Sequence, residues 1–202
     1  ILDFCQAHNV LMGMEIDDLI IDVPQKHPSH FWHVPIKGQI EELMRKVDFI
    51  TASTQRLKQF LLPYNQQIYV LPNLIDLNIW GQAQRDQPQK ARQHADTVLI
   101  GYAGSLPHIY DFEPVIPAIK LIQERYKEKV GFEFFGCIPE GLKGLPGIAH
   151  RGIIESYSGY ARFLRSLNFD FALAPLVDNS FGQSKSNMKF LEYSICGYAG
   201  IY

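Results

Sequence analysis

The feature that most constrains this sequence is a repeated order of short apolar segment, polar turn and amphipathic helix. Residues 39–47 carry four apolar side chains at helical spacing, which predicts a helix with one buried face. Residues 48–53 predict a buried strand, and Thr54 is a suitable N-cap for a helix that runs to Leu62. Residues 68–71 predict the next strand. Two strand–helix units in series indicate a parallel sheet with crossover helices.

The same order restarts more strongly in the second half of the chain. Helices are predicted at 111–127, 157–167 and about 186–196, with Pro117 at the start or at a kink of the first of them. Strands are predicted at 98–103, 130–135, 148–150, 169–176 and 198–202. Because several of these strands are apolar on both faces, the sequence predicts an α/β fold with a Rossmann-like, doubly wound parallel sheet.

A polar stretch separates the two halves. Residues 81–96 contain almost no large apolar side chains, so we expect a linker there, between a first domain at 1–80 and a second at 97–202. The sequence opens without a methionine and closes on an apolar segment at 198–202, so we interpret it as part of a longer protein.

Composition narrows the class of protein. Hydrophobic residues make up 47% and charged residues 20%, which is typical of a globular domain and excludes disordered, collagen-like and coiled-coil chains. Nineteen basic and 21 acidic residues give a net charge of −2, so bulk charge does not predict nucleic-acid binding. The apolar runs are too short for a membrane span. Three scattered cysteines predict buried thiols in a reducing compartment.

The first candidate site is the glycine-rich stretch Gly101-Tyr-Ala-Gly104-Ser105, placed after a predicted strand. In a doubly wound sheet, ligands bind beyond the carboxyl ends of the strands. Glycines there either allow a tight turn or let backbone N–H groups approach a phosphate or sugar. The spacing is not that of a dinucleotide fingerprint. His108 follows directly and is either a ligand contact or a turn histidine.

The second candidate site is the start of the helix predicted at about 186–196. Ser184 and Ser186 are suitable N-cap residues, and Lys185 lies between them. A helix N-terminus with hydroxyl groups and a lysine favours phosphate binding. Lys189 shares a helix face with Lys185, and Glu192 either pairs with Lys189 or accepts hydrogen bonds from ribose hydroxyls.

Two further groups have metal-ligating residue types. Asp17 and Asp18 are adjacent, but neighbouring residues of an extended segment point to opposite sides, which disfavours a shared metal ion. We expect these carboxylates to cap loop N–H groups instead. His27, His30 and His33 recur every three residues, but the prolines among them interrupt the regular helix that would align them. We therefore expect no metal site and no cofactor.

Several segments in order resemble the GT-B glycosyltransferases, and in particular one branch of the retaining family 4 enzymes (glycosyl transferases group 1). The segments are Glu15 to Pro24, Asp48-Phe-Ile-Thr-Ala-Ser-Thr54, Val70-Leu-Pro-Asn73-Leu-Ile-Asp76 with Trp80, Gly101 to Ser105 with His108 and Asp111, Ala174-Pro-Leu176 with Phe181, Ser184-Lys-Ser186, and Lys189-Phe-Leu-Glu192-Tyr193 with Gly197. The resemblance spans nearly the whole chain. It implies the end of an acceptor domain followed by most of a nucleotide-sugar domain.

The resemblance also implies a function and a set of roles. A nucleoside-diphosphate sugar is expected as donor substrate, with residues 101–105 against its diphosphate. Lys185 would neutralise the departing diphosphate, and Glu192 matches the second glutamate of the family's E-x7-E pattern, at the ribose. Ser184 stands where the first glutamate is expected, and the usual Arg and Lys after the first donor-domain strand have no clear equivalent: Asp111 stands in the region of that lysine.

Three functions follow from these observations. The first is sugar transfer to a glycan, lipid-linked or protein acceptor, in polysaccharide biosynthesis, with the enzyme in the cytoplasm or peripheral to the inner membrane face. By itself the chain is expected to be inactive, because part of the cleft lies outside it. The second is a non-catalytic module that recognises nucleotide sugars, which the missing first glutamate favours. The third is a nucleotide-sugar epimerase of the same fold. We expect no nucleic-acid partner.

Overall fold

The computed structural model describes residues 2–86 and 96–202. Their contacts group into two compact units. Unit 1 is the chain up to Asn73 together with Asp178–Asn187, and unit 2 is Leu74–Val177 together with Met188–Tyr202. All of 97–202 was predicted to form one domain, whereas the contacts group ten of those residues, 178–187, with unit 1.

Unit 1 contains a three-stranded parallel sheet in the order β1-β2-β3. The strands are β1 Gly13–Ile16, β2 Phe49–Ala52 and β3 Ile68–Val70. The helices before the sheet's last strand are α1 Leu2–Ala7, α2 His30–His33, α3 Lys37–Lys46 and α4 Gln55–Leu61. The predicted N-cap is confirmed: the Thr54 hydroxyl accepts a hydrogen bond from the Leu57 N–H at 3.0 Å.

The segment 178–187 contains one short helix, α8 Ser180–Gln183. The Phe181 ring is 3% exposed and belongs to the hydrophobic core of unit 1. Burying an aromatic ring removes a large apolar area from water, so Phe181 anchors this segment in unit 1. The Asn179 side chain caps α8 by accepting from the Gly182 N–H at 2.8 Å.

Unit 2 contains a five-stranded parallel sheet in the order β6-β5-β4-β7-β8. The strands are β4 Val98–Gly104, β5 Val130–Gly136, β6 Ile148–Arg151, β7 Phe171–Leu173 and β8 Ala199–Ile201. The chain runs outward from β4 to β6 and then returns to the other side of β4. The order therefore reverses between β4 and β7, which is the topological switch point of a doubly wound sheet.

Apart from the first of them, the helices of unit 2 follow the predicted alternation with strands. They are α5 Leu77–Asp86, α6 Ile116–Tyr126, α7 Tyr157–Ser166 and α9 Met188–Cys196. Pro117 lies in the first turn of α6 and so begins the regular helix rather than kinking it. Gly197, after α9, has φ +77°, which agrees with its predicted C-cap role.

Three sequence expectations differ from the structure. Residues 81–86 of the expected linker belong to α5, which packs through the buried Trp80 and the partly buried Ile79. Residues 87–95 lie outside the described residues. The helix predicted from about 186 begins at Met188, and a separate short helix, α8, precedes it. The beginning of the helix predicted at 111–127 is instead a 3-10 helix at Leu106–Phe112.

The described part of the chain has no helix with the length and apolar character that a bilayer crossing requires.

Candidate functional site

A cavity of about 280 Å³ opens at the carboxyl edge of the unit 2 sheet. Gly104 and Ser105 line it from the end of β4, and Gly136 lines it from the end of β5. Helix α9 contributes Lys189 and Glu192. Because the carboxyl end of a parallel sheet is where ligands bind, this cavity is the candidate functional site.

Glycine is required where the ends of β4 and β5 approach each other. Gly136 has φ +95°, and a Cβ at this position would collide with the carbonyl oxygen of Gly104. The Cys137 N–H donates to that same carbonyl at 2.9 Å. The two strand ends are thus held together, so the cavity floor is formed by backbone with little side-chain bulk.

Gly101, the other predicted glycine contact, lies inside β4 and away from the loop. A Cβ there would overlap the Phe169 ring, so core packing accounts for this glycine. Ser105 is extended and precedes the 3-10 helix, and it lines the cavity as its position in the sequence suggested. Of the glycine-rich stretch, it is Gly104 and Ser105 that the structure brings to the site.

Lys189, Glu192 and Tyr160 form a hydrogen-bonded cluster on one wall of the cavity. The Lys189 ammonium lies 2.9 Å from Glu192 Oε2, a pair that the i, i+3 spacing on α9 allows. The Tyr160 hydroxyl donates to Glu192 Oε2 at 2.8 Å and accepts from Lys189 Nζ at 3.2 Å. Both donors reach Oε2, which leaves Glu192 Oε1 as an acceptor for a ligand hydroxyl.

Burial and charge both act on this cluster. The Glu192 residue is 6% exposed, and Lys189 compensates its buried carboxylate. Burial, and then the adjacent Glu192 carboxylate, raise the pKa of Tyr160 well above its usual value. Tyr160 therefore keeps its proton and remains a donor that fixes the orientation of Glu192.

An aromatic wall closes the cavity on the side of α7. The Tyr157 and Tyr160 rings stack with centroids 6.4 Å apart, and Tyr160 stacks on Phe135 at 5.6 Å. The Trp80 indole N–H donates to the Tyr157 hydroxyl at 2.9 Å. Ile153 adds apolar surface. A flat apolar wall beside a polar cluster suits a ligand with both a planar ring and hydroxyl or phosphate groups.

His108 lies one turn after Ser105, because its backbone N–H donates to the Ser105 carbonyl at 3.1 Å. Its Nδ1 is 3.2 Å from Oδ2 of the buried Asp111. The other oxygen of Asp111 accepts from the Val177 N–H at 3.3 Å, just after β7. His108 and Asp111 therefore join the loop after β4 to the segment after β7, but neither is among the residues that line the cavity.

The predicted phosphate contacts Ser184, Lys185 and Ser186 all lie in unit 1. Lys185 Nζ forms an ion pair with Asp18 Oδ2 at 2.7 Å and lies 4.5 Å from the Phe181 ring centroid. The Ser184 hydroxyl is wholly buried and donates to the Ser180 carbonyl at 2.7 Å. Neither serine caps α9: Ser184 ends α8.

Ser186 has a partner within unit 1 as well, because its hydroxyl accepts from Asn73 Nδ2 at 3.1 Å. These three residues therefore precede the regular helix that was predicted to begin at about 186. The regular helix begins only at Met188, and the residues before it are used to hold the segment on unit 1. A role for Lys185 at the diphosphate stays a prediction.

The two metal-ligating patterns have other partners. Asp18 pairs with Lys185. His30 and His33 each donate from Nδ1 to a backbone carbonyl, that of Val23 at 2.7 Å and that of Ser29 at 2.9 Å. Within residues 2–86 and 96–202, no group of three or more His, Cys, Asp or Glu is placed to hold a metal ion.

Sequence reasoning missed Tyr160, Tyr157, Gly136 and Ile153. Gly136 ends β5, and the other three follow β6, so the rule that ligands bind at the carboxyl ends of strands points to these two places. Tyr160 in particular looks like a core residue of an amphipathic helix, and only its contact with Glu192 distinguishes it.

No family model and no curated protein matches the sequence. Solved structures do match. A trehalose-6-phosphate synthase studied for glycosyl transfer with retention has a TM-score of 0.63 at 13% identity. A UDP-forming α,α-trehalose-phosphate synthase from Burkholderia xenovorans has a TM-score of 0.63 at 12% identity. The E. coli trehalose-6-phosphate protein bound with UDP-2-fluoro glucose has a TM-score of 0.62 at 11% identity.

Each of these matches covers 96% of this chain but only 53% of the other chain, so this chain spans about half the length of the structures that it resembles. At such identities the likeness concerns the fold. The predicted Rossmann-like α/β class, and the resemblance to GT-B glycosyltransferases, are thereby confirmed at the level of the fold.

Proposed function

We propose that this chain carries the donor site of a glycosyltransferase that uses a nucleoside-diphosphate sugar. The observation that carries the proposal is the cavity at the carboxyl edge of the unit 2 sheet, which combines the Gly104–Ser105 backbone with the paired Lys189 and Glu192. The fold of the trehalose-phosphate synthases, one of them named as UDP-forming, supports uridine diphosphate as the first nucleotide to test.

Each part of the ligand has a suitable counterpart in unit 2. Glu192 Oε1 is free to accept hydrogen bonds from vicinal ribose hydroxyls, since its Oε2 already holds Tyr160 and Lys189. The backbone at Gly104 and Ser105 allows the diphosphate to approach closely. Tyr157 is 42% exposed, and its ring can stack against a planar base.

In the reaction, the bond between the sugar anomeric carbon and the diphosphate oxygen breaks, the acceptor hydroxyl oxygen bonds to that carbon, and the hydroxyl proton passes to the leaving diphosphate. Negative charge then builds up on the leaving diphosphate, and cationic side chains stabilise it electrostatically. Lys189 supplies one such charge at the cavity. The role predicted for Lys185 requires that its ammonium group leave Asp18, 2.7 Å away in unit 1.

The finer aspects of the function extend this proposal. We propose transfer with retention, as in the first trehalose-6-phosphate synthase comparison. The proposed acceptor is a glycan or lipid-linked glycan in cytoplasmic polysaccharide biosynthesis, with peripheral membrane association where the acceptor is lipid-linked. The neighbours span nearly twice this length, so complete activity is proposed for a longer protein.

A second candidate is a binding module that recognises nucleotide sugars without transferring them. One observation favours it: Ser184, where the resemblance expects a sugar-facing glutamate, is 0% exposed and bonded to the Ser180 carbonyl. Such a side chain cannot contact a sugar in this arrangement. Release of free sugar or transfer to an acceptor separates the two candidates, because only an enzyme turns the donor over.

The proposal is tested by calorimetric titration of the 202-residue chain with UDP, GDP, ADP and their glucose conjugates. We expect the nucleotides of one base to bind. Glu192→Ala should lower their affinity about tenfold or more, which corresponds to about 1.4 kcal/mol. Glu124→Ala, on α6, is a matched control because Glu124 lines a separate cavity of unit 2. Equal affinity in the wild type and Glu192→Ala would overturn the assignment of the site.

A further inference from the structure

Trp80 lies behind the aromatic wall of the cavity without lining it. Its side chain is 1% exposed, and its indole N–H donates to the hydroxyl of Tyr157, which does line the cavity, at 2.9 Å. The indole also meets the Tyr157 ring edge-on, with centroids 6.2 Å apart and an interplanar angle of 77°. One buried side chain therefore contacts Tyr157 in two ways, through a hydrogen bond and through an aromatic contact.

The start of α5 fixes the position of Trp80. The Asp76 carboxylate accepts from the Asn78 backbone N–H at 2.8 Å, and the Asp76 carbonyl accepts from the Trp80 backbone N–H at 3.0 Å. The indole belongs to a hydrophobic core cluster of unit 2 that includes Ala161 and Leu164 of α7. Because both its backbone and its ring are held, Trp80 is a rigid support for the residue that it contacts.

Burial alone does not hold Tyr157. It is 42% exposed and is the first residue of α7, so no earlier turn of that helix lies beneath its side chain. A side chain in such a place keeps rotamer freedom unless a specific contact restrains it. The Trp80 N–H supplies that contact, and a buried indole N–H that lost its acceptor would carry a desolvation cost. Trp80 and Tyr157 therefore hold each other in place.

We propose that Trp80 is a positioning residue for the donor site, whose indole N–H holds the Tyr157 ring in the orientation that stacks against the nucleotide base. A ring that is already oriented loses little rotamer freedom when the base binds, and such preorganisation raises affinity. The inference rests on the proposed function, in which Tyr157 contacts the base, and adds to the site a residue that no ligand touches.

Calorimetric titration of three variants tests this role, with whichever of UDP, GDP and ADP the wild type binds most tightly. Trp80→Phe removes the N–H and Tyr157→Phe removes the hydroxyl, while each variant keeps an aromatic ring. Each single change should lower the affinity about fivefold, the effect of losing one hydrogen bond. The double variant should be weakened no further, because both changes break the same hydrogen bond.

Leu164→Val is the matched control for lost core packing. Leu164 is 0% exposed and lies on α7 in the same core cluster as Trp80, but it does not line the cavity. Urea denaturation should show a lower free energy of unfolding for this variant, while its nucleotide affinity stays within about twofold of the wild type. Single effects that multiply in the double variant, or a loss in Leu164→Val as large as that in Trp80→Phe, would overturn the inference.

Fluorescence tests the same contact without changing Trp80. The chain has two tryptophans, so in Trp32→Phe the tryptophan emission comes from Trp80 alone. A nucleotide that stacks against Tyr157 should change this emission, since the indole N–H is bonded to the Tyr157 hydroxyl. Adding Tyr157→Phe to Trp32→Phe should reduce the change.

Two failures are distinguishable. An emission that stays constant at saturating nucleotide, or that changes equally with and without the Tyr157 hydroxyl, would overturn this inference alone. A wild-type chain that binds none of the nucleoside diphosphates tested would overturn the proposed function and this inference together.

Discussion

Lys185 and Lys189 are four residues apart and were predicted to share a helix face, yet they lie in different units of the structure. Lys185 lies in unit 1, where it pairs with Asp18 beside the buried Phe181 ring. Lys189 lies in unit 2, where it pairs with Glu192 at the cavity. The comparison teaches that helical spacing aligns two side chains only within one continuous helix, and the helix here begins between them, at Met188.

The largest expected effect is a loss of unit 2 stability at alkaline pH, caused by its buried tyrosines. Burial raises the pKa of five tyrosines in unit 2, most strongly the pKa of four of them: Tyr102, Tyr160, Tyr193 and Tyr198. In the unfolded chain these groups ionise near pH 10, while the folded state keeps the protons, so stability is present below pH 10 and is lost as pH rises. At pH 11 we expect unit 2 to lose about 1 kcal/mol for each of the four.

Tryptophan fluorescence measures this loss in unit 2. The chain has two tryptophans, Trp32 in unit 1 and the buried Trp80 in unit 2. In Trp32→Phe, Trp80 alone reports denaturant unfolding at pH 8, 10 and 11. An unfolding midpoint in urea that stays constant from pH 8 to pH 11 would contradict the buried, protonated tyrosines.

The second effect concerns the anchoring of residues 178–187. Phe181→Ala should destabilise unit 1 by about 3 kcal/mol, because it removes a 3% exposed ring from the core. Phe190→Ala is the matched control, since Phe190 is 49% exposed and should cost less than about 1 kcal/mol. Hydrogen exchange followed by mass spectrometry should show lost protection in β1 to β3. Equal losses for the two variants would show that Phe181 does not anchor the segment.

The third effect tests the two lysines against each other. Lys189→Ala should lower the affinity for the nucleotide about tenfold, or by about 1.4 kcal/mol, since it removes a cation at the cavity and leaves Glu192 uncompensated. Lys185→Ala should instead lower the free energy of unfolding by about 1 kcal/mol through loss of the partly buried pair with Asp18. Calorimetry and urea denaturation of both variants measure the two effects. The opposite outcome, with nucleotide affinity lost in Lys185→Ala, would support the predicted role of Lys185 at the diphosphate.

The smallest effect is a difference in thiol reactivity. Cys5 in unit 1 is half-buried, whereas Cys137 and Cys196 in unit 2 are 5% and 1% exposed. Burial raises the pKa of Cys137 and raises that of Cys196 to about 12. We expect iodoacetamide at pH 8 to modify Cys5 first, with the two unit 2 thiols following only as unit 2 opens. Peptide mass mapping over time would contradict this if all three reacted together.

The sequence predicted much of the fold because its signals are local. Thr54 caps α4 as expected, since a hydroxyl before a helix needs only the N–H three residues on. Pro117 starts α6 because its missing N–H is tolerated only in a first turn. The α5 helix was missed because its apolar contacts, made by Ile79 and Trp80, lie in its first half. Residues 81–86 carry no large apolar side chain and therefore show no helical periodicity.

For the candidate site, the sequence by itself determined the residue types and the edge where they gather. Alternating strands and helices lead to a parallel sheet, and a parallel sheet brings Gly104, Ser105, Lys189 and Glu192 to its carboxyl edge. Only the tertiary structure decided that Lys185 pairs with Asp18, 167 positions away, and that Tyr160 holds Glu192. These contacts join residues distant in the chain, so no local pattern encodes them, and they exist only once burial has brought charges and hydroxyls together.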